Sequence, residues 1–197
     1  MKKQVIIIHG GDSFDTYEQF LDSLKNWEVT LESFFPKKGW KSNLQSELGD
    51  EYEVLTPRMP NKQNAKYEEW KIWFERMFPF TRDNAALVGH SSGGLFLAKY
   101  LSKNIFPKKI SGLFLVAAPH SKTEDIGDFA LTQTLEKVWE QCQNIHLYQS
   151  QDDPVVPASE VEEYKKAWPD AKLHIFENRG HFNQESFPEL VAEIKGL

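Results

Sequence analysis

Three short segments carry residue types that could together perform nucleophilic catalysis. The run Gly89–Gly93, "GHSSG", holds Ser91 between glycines, Asp152 and Asp153 are adjacent in "QDDPVVP", and His181 follows a glycine near the end of the chain. A serine hydroxyl is a weak nucleophile until a base removes its proton and an acid orients that base. Serine, then aspartate, then histidine is the order expected for a Gly-x-Ser-x-Gly turn. These segments therefore predict an activated serine.

The predicted nucleophile stands between two predicted elements. The apolar run Ala85–Val88 precedes it, and Leu95, Ala98 and Leu101 follow at helical spacing. A strand-to-helix turn of this kind exposes a serine, and small flanking residues let strand and helix approach each other. The first turn of the helix offers backbone N–H groups to an oxyanion. The alternative is a glycine-rich turn whose serine only caps the helix.

The base and the acid are less strongly specified by the residues themselves. His181 lies in a late loop, whereas His146 and His174 fall inside predicted strands. Neighbouring side chains in an extended segment point in opposite directions, so only one of Asp152 and Asp153 can face His181. The residues leave that choice open, and both aspartates could serve only as turn and capping residues.

Six apolar runs predict the elements that position these groups. Several are continuous rather than alternating, as in strands buried on both faces of a parallel sheet. The runs are Gln4–Ile8, Tyr52–Leu55, Ala85–Val88, Ile110–Ala117, Ile145–Gln149 and Lys172–Phe176. Helical spacing between them predicts a doubly wound α/β sheet of about six parallel strands. Chemistry in such sheets lies at the carboxyl ends of the strands, where the polar segments fall.

Size and composition limit the other possibilities. A chain of 197 residues suits one domain, which we expect over 1–197. The net charge is −6 and no basic run contains interleaved aromatics, so nucleic acid is not an expected partner. The single cysteine, Cys142, favours a reducing compartment, and we expect a cytoplasmic protein. The N-terminal apolar run is too short for a signal peptide, and no segment approaches the ~20 apolar residues of a membrane span.

The motifs "GHSSG", "DDPVVP" and "GHF", each at a predicted strand end, resemble those of the α/β-hydrolase superfamily. Within it they resemble the compact serine hydrolases, the group of retinoblastoma-binding protein nine. The resemblance covers nearly the whole chain from Gly39 onward, together with the first strand. It implies a three-layer fold with strand order 2-1-3-4-5-6. It also implies that Asp153 is the acid, Ser91 the nucleophile and His181 the general base.

The loop after the first strand resembles the superfamily's His-Gly-x signature. By that match, the backbone N–H groups of Gly11 and Ser92 are the two oxyanion donors. Glycine at position 11 permits close approach of the backbone to a substrate, although a simple turn glycine is the alternative. His9 and His90 belong to the two signatures, and we expect both beside the substrate pocket.

Histidines at strand ends raise the alternative of a zinc site. His9, His90 and His120 could ligate zinc, with Asp12 nearby. No His-x-x-x-His pair exists, and two of these histidines are accounted for by the hydrolase signatures. We therefore expect no metal.

Residues 13–38 are additional relative to the compact relatives. Apolar residues at helical spacing (Tyr17, Phe20, Leu21 and Leu24) are followed by Trp27 and by the pair Phe34-Phe35. Because the segment leaves the sheet beside the predicted catalytic face, we expect a small helical cap over Ser91, with Phe34 and Phe35 lining the substrate pocket. Packing as an ordinary surface helix pair is the alternative.

Together these features predict a carboxylesterase-like serine hydrolase that cleaves small acyl esters through an acyl-enzyme. The expected partner is a small-molecule ester, and no cofactor is implied. Acyl transfer, or thioester or amide cleavage, by the same triad is a second possibility, because the acceptor pocket decides among them. A binding module that retains a weakly active triad is a third.

Overall fold

The computed structural model describes residues 2–35, 38–120 and 126–197, and within them six strands form one sheet. The strands are β1 (Lys3–Ile8), β2 (Tyr52–Leu55), β3 (Ala85–His90), β4 (Ile110–Val116), β5 (Ile145–Ser150) and β6 (Lys172–Phe176). Their order is β2-β1-β3-β4-β5-β6, and every neighbouring pair is parallel. The predicted fold class and strand order are confirmed.

Helices cover both faces of the sheet. The α-helices of the described residues are α1 (Tyr17–Asn26), α2 (Trp40–Leu48), α3 (Tyr67–Glu75), α4 (Ser92–Lys103), α5 (Glu136–Gln141), α6 (Glu160–Ala167) and α7 (Pro188–Lys195). The helices α2 and α7 supply buried residues to the core on one face, and α3 to α6 supply those of the other. None of these helices combines the length and the apolar character needed to cross a bilayer. The result is a three-layer arrangement.

The strand β1 shows why its sequence is continuously apolar. Val5 and Ile7 belong to the core beneath α2 and α7, whereas Ile6 and Ile8 belong to the opposite core. Alternate side chains of a strand point to opposite faces, so a strand covered on both sides needs apolar residues at every position.

Three strand ends differ from the sequence-based bounds at the edge where polar residues gather, and β5 continues one residue further, to Ser150. The other two ends, those of β3 and β4, lie beside Ser91. The strand β3 continues past Val88 because Gly89 and His90 pair with Leu115 and Val116 of β4. The strand β4 ends one residue early, since Ala117 has a φ of 46°, outside the extended region. Both departures shape the turn that carries Ser91.

Candidate active site

Ser91 lies in a strained turn between β3 and α4. Its φ of 54° and ψ of −131° are seldom adopted by residues with a side chain. The Ser91 N–H donates to the Val116 carbonyl at 2.8 Å, and the Ser91 carbonyl accepts from the Gly94 N–H at 2.8 Å. Backbone hydrogen bonds on both sides therefore hold this conformation.

Glycines make the turn sterically possible. A Cβ atom added at Gly93 would lie 2.2 Å from the Ile8 carbonyl oxygen, and one at Gly89 would lie 2.5 Å from Gly94 Cα. A Cβ at Gly10 would lie 2.8 Å from Ser91 Cβ. The need for glycine at position 10 could not be predicted, because the closeness of Gly10 to Ser91 depends on the pairing of β1 with β3.

The loop after β1 is tied to the first turn of α4. The Ser92 hydroxyl donates to the Gly11 carbonyl at 2.6 Å. In the part of the chain that the structure describes, the backbone N–H groups of Gly11 and Ser92 donate to no protein acceptor. Two N–H donors on linked segments are thus available to a substrate oxygen.

His9 links this loop to the segment after β2. Its Nδ1–H donates to the Gly10 carbonyl at 2.7 Å, and its Nε2 accepts from the Met59 N–H at 2.9 Å. Burial lowers the pKa of His9, which favours the neutral ring that this pattern requires. Both ring nitrogens are therefore engaged by backbone groups.

His181 and Asp153 are paired across the loops that follow β6 and β5. His181 Nδ1 lies 2.9 Å from Asp153 Oδ2 and 3.1 Å from Oδ1. The Asp153 side chain is fully buried, and the His181 side chain is 12% exposed. Asp153 Oδ1 also accepts from the N–H groups of Val155 and Val156. Because Nδ1 must donate to the carboxylate, Nε2 is left as a proton acceptor.

Asp152 makes no hydrogen bond to the His181 ring in the described residues and instead ties the loops after β5 and β6 together. Its Oδ1 accepts from the Ser150 hydroxyl at 2.5 Å and from the Gly180 N–H at 2.8 Å. The Ser150 oxygen in turn accepts from the Arg179 N–H at 2.9 Å. These hydrogen bonds lower the pKa of Asp152, with that from Ser150 contributing most.

The first turn of α2 and His90 hold the histidine loop from the other side. His90 Nε2–H donates to the His181 carbonyl at 2.9 Å, so His90 Nδ1 accepts from Lys41 Nζ at 3.3 Å. The Trp40 indole N–H donates to the Phe182 carbonyl at 2.8 Å. Burial lowers the pKa of His90 well below its usual value. The contacts of Trp40 and Lys41 join residues far apart in the chain, so no local pattern could predict their roles.

His90 connects the turn of Ser91 to the loop of His181. The rings of His90 and His181 have centroids 4.9 Å apart, and His90 immediately precedes Ser91. Within the described residues no hydrogen bond joins Ser91 Oγ to His181. Hydrogen bonds between nucleophile and base are often long without substrate.

The segment of the expected cap lies largely at the surface. Phe34 and Phe35 are 74% and 59% exposed, and no residue of α1 is buried. Ser13 Oγ donates to the Ala65 carbonyl at 2.9 Å, which anchors the start of the segment. Residues 36–37 of the expected cap lie outside the described residues. His120, the third histidine of the considered zinc set, has its ring against Tyr164.

A cavity of about 370 Å³ lies between α1 and the loop that precedes α3. Tyr17 and Phe20 line it from α1, and Lys62 lines it from the loop. The Lys62 carbonyl accepts from the Asp12 N–H at 2.8 Å, next to Gly11. The expected cap and the predicted oxyanion donor thus contact the same loop.

A doubly wound sheet of this order, with serine after β3, aspartate after β5 and histidine after β6, defines the α/β-hydrolase class. The chain belongs to the serine hydrolase family, whose sequence model matches residues 35–191. It is therefore a hydrolase of the α/β-hydrolase type.

A sequence relative agrees with this assignment, and solved structures share the fold. The chain is 29% identical to the serine hydrolase RBBP9 of Rattus norvegicus over 154 residues, 74% of this chain and 78% of the relative. The fold is similar to that of the ydeN gene product of B. subtilis, with a TM-score of 0.79, 22% identity, and coverage of 99% and 98% of the two chains. Est1E from Butyrivibrio proteoclasticus, solved with ferulic acid, has a TM-score of 0.59 at 14% identity, over 98% and 87% of the chains.

Lys41 generates a prediction about pH and stability. Burial lowers its pKa from 10.5 to about 8. Between these values the folded state binds fewer protons than the unfolded state, so the free energy of unfolding rises with pH across this window. We expect the free energy of unfolding to rise with pH by up to about 3 kcal/mol more in wild type than in Lys41→Met. Urea unfolding at pH 7.5 and pH 10.5 measures it, with exposed Lys25→Met as the control. Equal slopes for wild type and Lys41→Met would contradict the expected burial of a charged amine.

Proposed function

We propose that the protein is a serine esterase that cleaves small acyl esters through a Ser91–His181–Asp153 triad. The observation that carries the proposal is the contact between His181 Nδ1 and the buried carboxylate of Asp153, in a loop that His90 joins to Ser91. That contact fixes the tautomer with a free Nε2, as a general base requires. The single buried thiol, Cys142, supports a cytoplasmic setting for the activity.

Acylation begins with attack of Ser91 Oγ on the ester carbonyl carbon. The hydroxyl proton passes to His181 Nε2, and Asp153 stabilises the resulting imidazolium through the Nδ1–H bond. The carbonyl oxygen becomes an oxyanion that accepts from the N–H groups of Gly11 and Ser92. Each such donor contributes roughly 10²- to 10³-fold in rate. The C–O bond to the alcohol then breaks, and His181 returns the proton to the leaving oxygen.

Deacylation repeats these steps with water. His181 Nε2 takes a proton from the water as its oxygen attacks the acyl carbon, and the oxyanion again occupies the site beside Gly11 and Ser92. The bond to Ser91 Oγ breaks, the serine regains its proton, and a carboxylic acid is released. Acyl transfer, or cleavage of a thioester or an amide, would use the same residues with a different acceptor or leaving group.

We further propose that residues 13–35 border the substrate site and select the acyl or alcohol group. The support is their continuity with the loop of Gly11 and the anchoring of Ser13 to Ala65. The segment exposes a set of large apolar side chains, Tyr17, Leu24, Trp27, Leu31, Phe34 and Phe35. Substrate contact would remove part of this apolar surface from water, which favours binding.

Labelling with a fluorophosphonate probe tests the nucleophile. We expect wild type to label, Ser91→Ala to be inert, and the neighbouring Ser92→Ala to label still. The Ser92 backbone N–H persists in Ser92→Ala, and loss of its hydroxyl bond to Gly11 should slow the reaction only about fivefold. p-Nitrophenyl acetate and butyrate hydrolysis should follow the same order. If folded wild type neither labels nor hydrolyses, a binding module with an inactive triad replaces the esterase.

The two adjacent aspartates allow a matched test of the acid. Asp153→Asn should lower kcat about 10³- to 10⁴-fold, because an amide cannot accept the Nδ1–H in the same way and stabilise an imidazolium. Asp152→Asn keeps an oxygen that can accept from Ser150 and Gly180, so kcat should fall less than about tenfold. Steady-state kinetics on p-nitrophenyl acetate decides between them. Equal losses would mean that the loop, rather than the acid, limits activity.

Substrate selection by the segment is tested by polar substitution of its exposed aromatics. The double variant Phe34→Ser/Phe35→Ser should change the ratio of kcat/KM for p-nitrophenyl butyrate over acetate by about threefold or more, since each buried CH₂ contributes about 0.8 kcal/mol. Phe80→Ser is the control, because Phe80 is 72% exposed and lies outside the segment. An unchanged ratio in the double variant would remove Phe34 and Phe35 from the substrate site.

A further inference from the structure

A second cluster of histidine and glutamate side chains lies outside the triad, on the core face beneath α7. His146 of β5 and His174 of β6 lie diagonally across the parallel pair, since His146 is opposite Lys172, and Glu193 reaches them from α7. One nitrogen of each histidine and a carboxylate oxygen of Glu193 all lie within 4.8 Å of one another. The esterase mechanism uses none of these groups.

The spacing of the donor atoms resembles that of zinc ligands. His146 Nδ1 lies 3.2 Å from His174 Nε2 and 3.7 Å from Glu193 Oε2. Two nitrogens bound tetrahedrally at 2.0–2.1 Å from zinc are about 3.3 Å apart. Binding of one ion would require the two nearly parallel rings, whose nitrogens now face each other, to turn toward it, and the Glu193 carboxylate to move closer to both nitrogens.

The surroundings of His146 present its Nδ1 as a ligand. The Asn144 amide donates from Nδ2 to the Ser111 carbonyl at 3.1 Å, which turns Asn144 Oδ1 toward His146 Nε2 at 3.1 Å. His146 Nε2 must therefore carry the proton, and the lone pair is on Nδ1. Metal-bound histidines are held in this way by an oxygen acceptor on the second nitrogen.

Aromatic rings fix the cluster, and buried polar atoms beside it lack partners. Phe114 stacks on His146 with centroids 4.6 Å apart, and Tyr148 stacks on His174 at 4.3 Å. The Tyr148 hydroxyl and Glu189 Oε2 are buried and have no hydrogen-bond partner among the described residues. Buried polar atoms are normally paired, so both atoms have hydrogen-bonding capacity for a further polar group.

We propose that His146, His174 and Glu193 bind one divalent transition-metal ion of the zinc class. His174 would carry its proton on Nδ1 in the bound state, which frees Nε2 for the ion. The Glu193 side chain is 33% exposed and leaves a route for the ion and for a water ligand. Imidazole nitrogen and carboxylate oxygen together suit zinc and its neighbours rather than calcium or magnesium.

The ion would join β5, β6 and α7 at one point. The loop after β5 supplies Asp153, and the segment from β6 to α7 supplies His181. The site is therefore structural, and its occupancy should raise the unfolding temperature by mass action. Hydrolysis involves none of its ligands.

Lys172 provides a test in which a substitution should strengthen metal binding rather than weaken it. Its Nζ lies 3.4 Å from Glu193 Oε2, the atom that would face the ion. An ammonium group at this place competes with a cation for the carboxylate. Removing the charge in Lys172→Met should strengthen metal binding, whereas removing a ligand should weaken it.

The experiment uses the full chain after treatment with a chelator and its removal. Zn²⁺ is titrated by calorimetry, and Co²⁺ by its visible absorption, which reports coordination by protein ligands. We expect one ion per chain, a Kd raised about tenfold or more in His174→Gln and in Glu193→Gln, and a Kd lowered several-fold in Lys172→Met. The exposed Glu162→Gln is the control for loss of a carboxylate, and circular dichroism verifies that each variant is folded.

His181→Gln distinguishes this site from the triad. Retained binding in His181→Gln, together with loss in His174→Gln and Glu193→Gln, supports the proposal. Absence of saturable binding to wild type would overturn it. So would binding that His174→Gln and Glu193→Gln leave unchanged, or binding that His181→Gln abolishes, since the ion would then lie elsewhere or at the triad.

Discussion

The site depends on the backbone of Ser91, which is held where a residue with a side chain is strained. Such a conformation costs on the order of 1–3 kcal/mol and persists only if the surroundings over-determine it. Here the Val116 carbonyl accepts the Ser91 N–H, and glycines at positions 10, 89 and 93 leave no atoms in the way. The parallel pairing of β1, β3 and β4 sets these contacts. The sheet therefore supplies the strain that presents the serine.

The histidine loop is positioned by different means, and at a cost to stability. Phe182, directly after His181, has a φ of 51°, and its carbonyl accepts from the indole of Trp40. Lys41 supplies the donor that completes the hydrogen bonds of His90, although burial disfavours its charge. Buried charge kept beside a reactive group is the kind of local conflict that functional sites retain.

The fold, and the placement of Ser91, Asp153 and His181 after β3, β5 and β6, could be predicted because both depend on local pattern. Continuous apolar runs indicate strands covered on both faces, and "GHSSG" indicates the turn after β3. The choice of Asp153 as the partner of His181 came from the family resemblance. From the residues alone, Asp152 was an equally good candidate. Lys41 and Trp40 could not be found, because nothing in their neighbourhood indicates that they meet His90 and the loop of His181. The solvent exposure of Phe34 and Phe35 could not be predicted either, since helical spacing does not show whether an apolar face packs against another element.

Under the proposed function, these differences separate the parts of the molecule that carry the chemistry from the part that selects the substrate. Ser91, Asp153 and His181, together with the N–H groups of Gly11 and Ser92, stand on loops held by the sheet, by glycines and by contacts from α2. Residues 13–35 have few such constraints: α1 buries no side chain, and its start is tied to the loop of Ala65 next to the oxyanion donors. The family match begins only at residue 35, so nearly all of this segment precedes it. Under the proposed function, change in this segment would alter what reaches Ser91 while leaving the turn of Ser91 and the pairing of Asp153 with His181 undisturbed.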